Sequence, residues 1–206
     1  MPSVESTEKT YLKRIKALNQ SYAIPLRQFS KSSSTMIIDK YEATLMCGKI
    51  EYIVKENQSL LPVLETCLKS LIKGQTDWLD QLCEQLEKIQ KPYCDYLASY
   101  DLIKDTEQRL LKKSKGFPQF CERTKEAMYN DRMGRVGLRE LLMEWVQRVT
   151  CYILIFKQIL KKMSLDNPAR ENLLSCISTC NWTAVCELDS HLIKAATICV
   201  SFQRYI

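Results

Sequence analysis

Residues 138–163 form the most apolar stretch of the chain and limit its fold more than any other feature. Polar residues are sparse between Val149 and Leu160, and the run is too long for an ordinary strand. It does not reach the ~18 uninterrupted apolar residues of a membrane-spanning helix. A helix that is apolar on nearly every side belongs in the middle of a bundle. We therefore expect residues 149–160 to be the central helix of a helical domain.

The rest of the chain repeats apolar residues at helical spacing, and no long stretch alternates with the period of a strand. Residues 4–29 predict a first helix, and a polar loop follows at 30–35. Pro62 is expected at or near a helix start, and Pro92 is expected to open a helix that carries Tyr93, Tyr96 and Tyr100. Only five glycines and six prolines occur, which disfavours a turn-rich sandwich or barrel. The fold class is therefore all-α.

Length and net charge limit the number of domains and the classes of partner that we expect. A chain of 206 residues favours one domain, expected over residues 1–206. The net charge of +6 comes from basic residues that mostly alternate with acidic ones, which is typical of a solvated surface. No basic cluster is interleaved with aromatics, so nucleic acid is not expected as a partner. Weak attraction to an anionic membrane surface or an acidic partner stays open. The N-terminus lacks a secretory pattern, which favours a cytoplasmic protein, with recruitment to the membrane periphery an open alternative.

Ten cysteines lie scattered in apolar helical patterns. We interpret them as reduced core residues of a cytosolic protein. Cys176, Cys180, Cys186 and His191 could supply four zinc ligands, but their spacing matches no standard zinc module, and the first two share one helix face. We therefore expect no metal and no cofactor.

Sequence signals of enzymatic chemistry are missing. There is no glycine-rich phosphate loop, no nucleophile elbow, and no Cys/His pair at nucleophile spacing. Acidic pairs such as Asp77/Asp80 or Glu84/Glu87 occupy helical positions that are typical of solvated faces. The residues alone therefore predict a helical interaction domain.

Three regions together carry a resemblance to a known family. Residues 141–157 read Leu-Leu-Met-Glu-Trp-Val-Gln-Arg-Val-Thr-Cys-Tyr-Ile-Leu-Ile-Phe-Lys. This resembles the signature helix of the Dbl homology domain, the exchange module for Rho-family GTPases. The first helix, with Thr7-Glu8 and Tyr11-Leu12, and residues 47–64 are similar to its first and second conserved regions. The resemblance implies an elongated bundle of about six helices. A pleckstrin-homology domain commonly follows in the family, and none is expected within this chain.

The resemblance implies a guanine-nucleotide exchange factor that binds the switch regions of a Rho-family small GTPase and promotes GDP release without covalent catalysis. The family's three polar contacts map here onto Ser3 (with Glu5 the nearest carboxylate), Cys151, and Leu188 or Asp189. A Glu, a Lys or Arg, and an Asn are usual at these places. The resemblance implies supporting roles for Gln147 and Arg148 and a selectivity contact for Met143. The full set of residues expected at the GTPase interface is Ser3, Glu5, Glu8, Met143, Gln147, Arg148, Cys151, Leu188 and Asp189.

Two functions therefore stay open. The first is an exchange factor, weak or atypical because of the substituted polar contacts. The second is a Dbl-like scaffold or GTPase-binding adaptor without exchange activity, which Ser3, Cys151 and Asp189 favour.

Overall fold

The computed structural model describes residues 4–32, 36–72, 78–131 and 136–185. Helices fill these ranges, and they contain no strand. The helices are α1 (Val4–Ala17), a π-helical turn (Leu18–Ala23), α2 (Ile24–Phe29), α3 (Lys40–Cys47), α4 (Ile50–Ile72), α5 (Trp78–Leu97), α6 (Tyr100–Lys113), α7 (Phe117–Asn130), α8 (Leu138–Lys162) and α9 (Ala169–Val185). The all-α class is confirmed.

Several of these helices continue one another. The backbone stays helical from α1 through the π-helical turn into α2. Two residues separate α3 from α4 and α5 from α6, and helical hydrogen bonds lead into both junctions. If helices that continue one another are counted as one, the described helices form six helical segments. This agrees with the expected bundle of about six helices.

The two prolines expected at helix starts lie inside helices, so those predictions are wrong. Pro62 lies within α4, and Pro92 lies within α5 and does not open it. An internal proline removes one helical hydrogen bond and costs about 3 kcal/mol. Packing offsets this loss, because Leu60 and Leu64 flank Pro62 and are fully buried, as is Tyr93 next to Pro92. Tyr100 belongs to the following helix, α6.

α8 is the longest of the described helices and packs against several others. Its 25 residues span about 37 Å. At its N-terminal end, Tyr96 on α5 donates a 2.9 Å hydrogen bond to the carbonyl of Leu142, and the Tyr96 ring packs 4.8 Å from Trp145. α8 also packs against α1 and α9. Contacts with α1, α5 and α9 therefore place α8 within the bundle.

One side of α8 is not covered by the described helices. Val149, Tyr152, Ile153 and Phe156 are buried, but Leu154 is only partly buried and does not belong to the core. The helix expected to be central therefore contributes to the core, although Leu154 is not buried with it. The partly exposed Leu154 continues a surface that begins earlier on the helix. Within the described residues, no helix is long and apolar enough to cross a membrane.

Candidate functional site

A buried ion pair joins α1 to α8. Arg148 donates a hydrogen bond to Glu8 Oε2, and the relative accessibilities of the two side chains are 7% and 0%. The hydroxyl of Tyr152, one turn beyond Arg148, lies 3.0 Å from the same carboxylate oxygen. The Arg148 guanidinium also stacks on two rings, 4.7 Å from the centroid of Tyr152 and 5.0 Å from that of Tyr11. Such cation–π contacts strengthen when water is excluded.

The same network extends to α4 and α5. Asn57 on α4 donates through Nδ2 to the hydroxyl of Tyr93 at 3.0 Å, and its Oδ1 lies 3.1 Å from the Tyr152 hydroxyl. The hydroxyls of Tyr93 and Tyr11 are 2.5 Å apart. Four helices are therefore tied together by one chain of buried polar groups. Because unsatisfied buried polar groups are costly, this chain fixes how the helices are placed relative to one another.

The surroundings of Arg148, Tyr152 and Tyr11 shift the pKa of each of these groups. Burial alone would lower the pKa of Arg148. The neighbouring Tyr152 and Glu8 outweigh this effect, so the pKa of Arg148 is raised above its ordinary value. Burial, with the nearby Glu8 charge, raises the pKa of Tyr152 well above its usual range. Burial likewise raises the pKa of Tyr11, where Tyr93 and Tyr152 add to the effect. The guanidinium is thus charged and the phenols neutral at physiological pH.

Three of the residues expected at the interface lie along the open side of α8. Met143, Gln147 and Cys151 are partly exposed, and their spacing of four residues puts them on one helix face. Met143 contacts Tyr100 on α6: the Tyr100 hydroxyl lies 3.4 Å from the Met143 sulfur. Leu154 continues the face by nearly one more turn. We call Met143, Gln147, Cys151 and Leu154 the α8 face.

A second ion pair borders this face. Arg14 on α1 lies 2.6 Å from Glu144 on α8, and the two side chains are 32% and 18% exposed. Burial raises the pKa of Glu144, and the neighbouring Arg14 and Arg148 lower it by less. No local pattern in the sequence indicates this pair, because its members are far apart in the chain and neither matches a motif position.

The remaining expected interface residues divide into two groups. Glu8 and Arg148 are buried, so in this conformation they support the α8 face from behind and do not line it. Ser3, Leu188 and Asp189 lie outside the described residues, and for Glu5 only the helical backbone is described. Their assignment to the interface stays a prediction.

The cysteines that were weighed as zinc ligands occupy a separate place. Cys176 and Cys180 are buried one turn apart on α9, and burial raises the pKa of Cys180 to about 12. Cys186 and His191 lie outside the described residues. Within the part of the chain that the structure describes, no group of three or more His, Cys, Asp or Glu side chains could hold a metal ion.

Comparison with known proteins decides the family. A family model described as the RhoGEF domain matches residues 4–185. The chain belongs to the RhoGEF domain family. This match contains all of α1 to α9, including both helices that carry the buried ion pair. The expected family is thereby confirmed.

Relatives of this RhoGEF domain agree with that result. The chain is 28% identical over 165 residues to the Rho guanine nucleotide exchange factor gef2 of Schizosaccharomyces pombe, covering 75% of the chain and 14% of the relative. It is 24% identical over 168 residues to the rat FYVE, RhoGEF and PH domain-containing protein 4, covering 79% of the chain and 20% of the relative. The RhoGEF domain thus spans a small part of the length of these curated relatives.

A solved structure shares the fold. It is the ternary complex of human RhoA, its inhibitor and the DH/PH domain of human ARHGEF11. The TM-score is 0.75 at 15% identity, and the match covers 94% of this chain and 51% of that chain. This RhoGEF domain therefore shares its fold with about half of that DH/PH chain.

Proposed function

We propose that this chain binds a Rho-family small GTPase through α1 and the α8 face and promotes release of its bound GDP. The observation that carries the proposal is the buried network behind the face. Glu8, Arg148 and Tyr152 hold α1 and α8 in one arrangement, while Met143, Gln147 and Cys151 beside them stay accessible. The family membership and the name of the yeast relative support it, as does the RhoA complex of the structural relative.

The proposed activity makes and breaks no covalent bond. An exchange factor accelerates GDP release when it binds the nucleotide-free GTPase more tightly than the GDP-bound form, because only that difference lowers the barrier to release. Rigid helices suit this task, since a surface held in place by buried contacts loses little freedom on binding. Hence the chain acts by binding and is not an enzyme in the covalent sense.

The chemistry of the α8 face predicts slow exchange. Between Met143 and Ile155 the only cation is Arg148, and it is buried and committed to Glu8. A charge-assisted hydrogen bond contributes about 1.5–3 kcal/mol. Where the family pattern has a Lys or Arg, this chain has Cys151, so one such contact to the GTPase is lost. Binding then depends more on apolar area than on charged contacts.

Nucleotide release tests the proposal. A panel of Rho-family GTPases, including RhoA, is loaded with fluorescent GDP, and the fluorescence decay is followed with excess unlabelled nucleotide and rising amounts of the chain. We expect the decay to accelerate for at least one GTPase. Met143→Glu with Gln147→Glu should abolish the acceleration. Gln81→Glu with Glu84→Gln on exposed α5 positions should leave it intact. No acceleration and no binding for any panel member would contradict the proposal.

The uncharged α8 face also favours a second candidate, a GTPase-binding adaptor without exchange activity. The two candidates differ in one result. The adaptor binds the GTPase, and the complex forms equally well with the GDP-bound and nucleotide-free forms, while the release rate stays at its intrinsic value.

A further inference from the structure

A cluster of exposed lysines on α3, in the last turn of α6 and just beyond it has no part in the proposed exchange. Lys112 and Lys113 are exposed in the last turn of α6, and Lys115 is exposed just beyond it. Lys40 is exposed at the first residue of α3. We call Lys40, Lys112, Lys113 and Lys115 the lysine patch. None of the four is paired with a carboxylate in the described part of the chain.

Contacts between the residues around the start of α3 and the C-terminal part of α6 bring the two segments of the patch together. Ser114 donates a 2.9 Å hydrogen bond to the carbonyl of Ile37. The Ile37 side chain lies so close to Gly116 that a Cβ added there would be 2.4 Å from its Cγ2 atom. On the other side, Arg109 on α6 pairs at 2.7 Å with Glu42 on α3. Lys40 falls between these two contacts and therefore lies beside the last turn of α6.

The charges of the patch are not neutralised by their surroundings. The Asp39 carboxylate accepts a hydrogen bond from the Glu42 backbone as the cap of α3, and the Glu42 carboxylate is taken up by Arg109. The C-terminus of α6 and the N-terminus of α3 meet here. Their helix dipoles contribute about half a negative charge and about half a positive charge, so the two contributions cancel. The Asp39 carboxylate keeps its charge as a cap, but the four ammonium groups outnumber it, so this surface stays net positive.

Apolar side chains are exposed beside the lysines. Met36, next to Ile37, is 58% exposed, and Leu111, in the same turn as Lys112 and Lys113, is 37% exposed. A flexible thioether and an aliphatic chain bordered by lysines are the composition that binds the interface of a bilayer containing anionic lipids. The cations approach the headgroups and the apolar tips enter between them.

We infer that this surface is a docking site for an anionic lipid membrane, with the lysine patch contacting headgroups and Met36 and Leu111 entering the interface. The site lies on α3 and α6, apart from the α8 face, so lipid and GTPase can be tested independently. Each cation at such a surface contributes roughly fivefold to partitioning, and the attraction weakens as salt shortens the range of the charges.

Vesicle sedimentation tests this site. The chain is mixed with phosphatidylcholine vesicles, with and without phosphatidylserine, at low and physiological salt. We expect binding only to vesicles with phosphatidylserine. The Lys113→Glu, Lys115→Glu variant should bind at least about tenfold more weakly. Lys88→Glu with Lys91→Glu, on exposed positions of α5, gives the same net charge and should bind nearly as well as wild type. Met36→Ser should weaken the binding that persists at higher salt.

Three results would overturn the inference. One is absence of binding to phosphatidylserine vesicles. Another is an equal loss in the patch and α5 variants, which would mean that only net charge matters. The third is patch-dependent binding to duplex DNA with none to vesicles, which would point to nucleic acid. If charge reversal lowers the melting temperature, Lys113→Gln with Lys115→Gln supplies the same comparison with a milder change.

Discussion

Arg148 on α8 donates a hydrogen bond to Glu8 on α1, and both side chains are buried. The two residues are 140 positions apart in the chain, and they belong to the two helices that border the proposed GTPase-binding surface. Tyr152 adds a second hydrogen bond to the same carboxylate, so α1 is fixed in register against α8. The position of α1 is thus determined by charge and hydrogen bonding as well as by apolar packing.

Breaking this pair should destabilise the domain strongly. We expect Arg148→Met to lower the free energy of unfolding by about 3–5 kcal/mol, because it leaves the Glu8 carboxylate buried without its partner. The double variant Glu8→Gln, Arg148→Met should recover part of the loss, since no charge then remains buried. Urea unfolding followed by circular dichroism measures both. A double variant as unstable as Arg148→Met would mean that packing, not the uncompensated charge, causes the loss.

Two apolar positions of α8 should respond differently to a buried charge. Phe156 is 1% exposed, whereas Leu154 lies on the open α8 face. Phe156→Asp should leave the domain unfolded, because an unpaired carboxylate would be buried. Leu154→Asp should stay folded with only a modest drop in melting temperature. Thermal unfolding of the matched pair gives the comparison, and equal loss of structure would show that Leu154 is covered.

The ionised Glu144 carboxylate should slightly lower the free energy of unfolding at neutral pH. Its pKa in the folded chain is raised, chiefly by burial, so the folded state holds this proton more tightly than the unfolded state. Stability from this group is therefore gained as the pH falls through the folded-state pKa and lost as the pH rises again. Replacing Glu144 with Gln should remove that part of the pH dependence of unfolding. An unchanged pH profile would contradict the raised pKa.

Restoring a cation on the α8 face should speed nucleotide release. Cys151 is partly exposed, so Cys151→Lys should fold normally and offer a charged donor to the GTPase. We expect release to accelerate by at least tenfold if one charge-assisted contact forms, since about 1.4 kcal/mol corresponds to a factor of ten. Gln158→Lys, at an exposed position two turns farther along the face, is the matched control and should change little. Acceleration by Cys151→Glu equal to that by Cys151→Lys would refute the role assigned to position 151.

Much of the fold could be predicted from the chain alone. Apolar spacing indicates helices throughout, and the pattern around Gln147 and Arg148 identifies the family. The positions of Pro62 and Pro92 could not be predicted by the same means, since packing from Leu60, Leu64 and Tyr93 outweighs the local cost of an internal proline.

Less of the candidate site than of the fold could be predicted from the sequence. An apolar run was interpreted as a central helix, but composition does not tell which of its sides are buried: Phe156 is in the core and Leu154 is partly exposed. Arg14 and Glu144 meet only through the packing of α1 on α8, so no spacing in the sequence reveals them. The network through Asn57 and Tyr93 is likewise a tertiary feature.

The most direct test of the proposed function is the affinity of the chain for one Rho-family GTPase in two states. Isothermal titration is run with the GTPase made nucleotide-free by chelating its magnesium, and with the same GTPase loaded with GDP and magnesium. Exchange by differential binding requires tighter binding to the nucleotide-free form, and we expect a preference of at least about tenfold even with an uncharged residue at position 151. Equal affinity for the two forms, or tighter binding to the GDP-loaded form, would contradict the account.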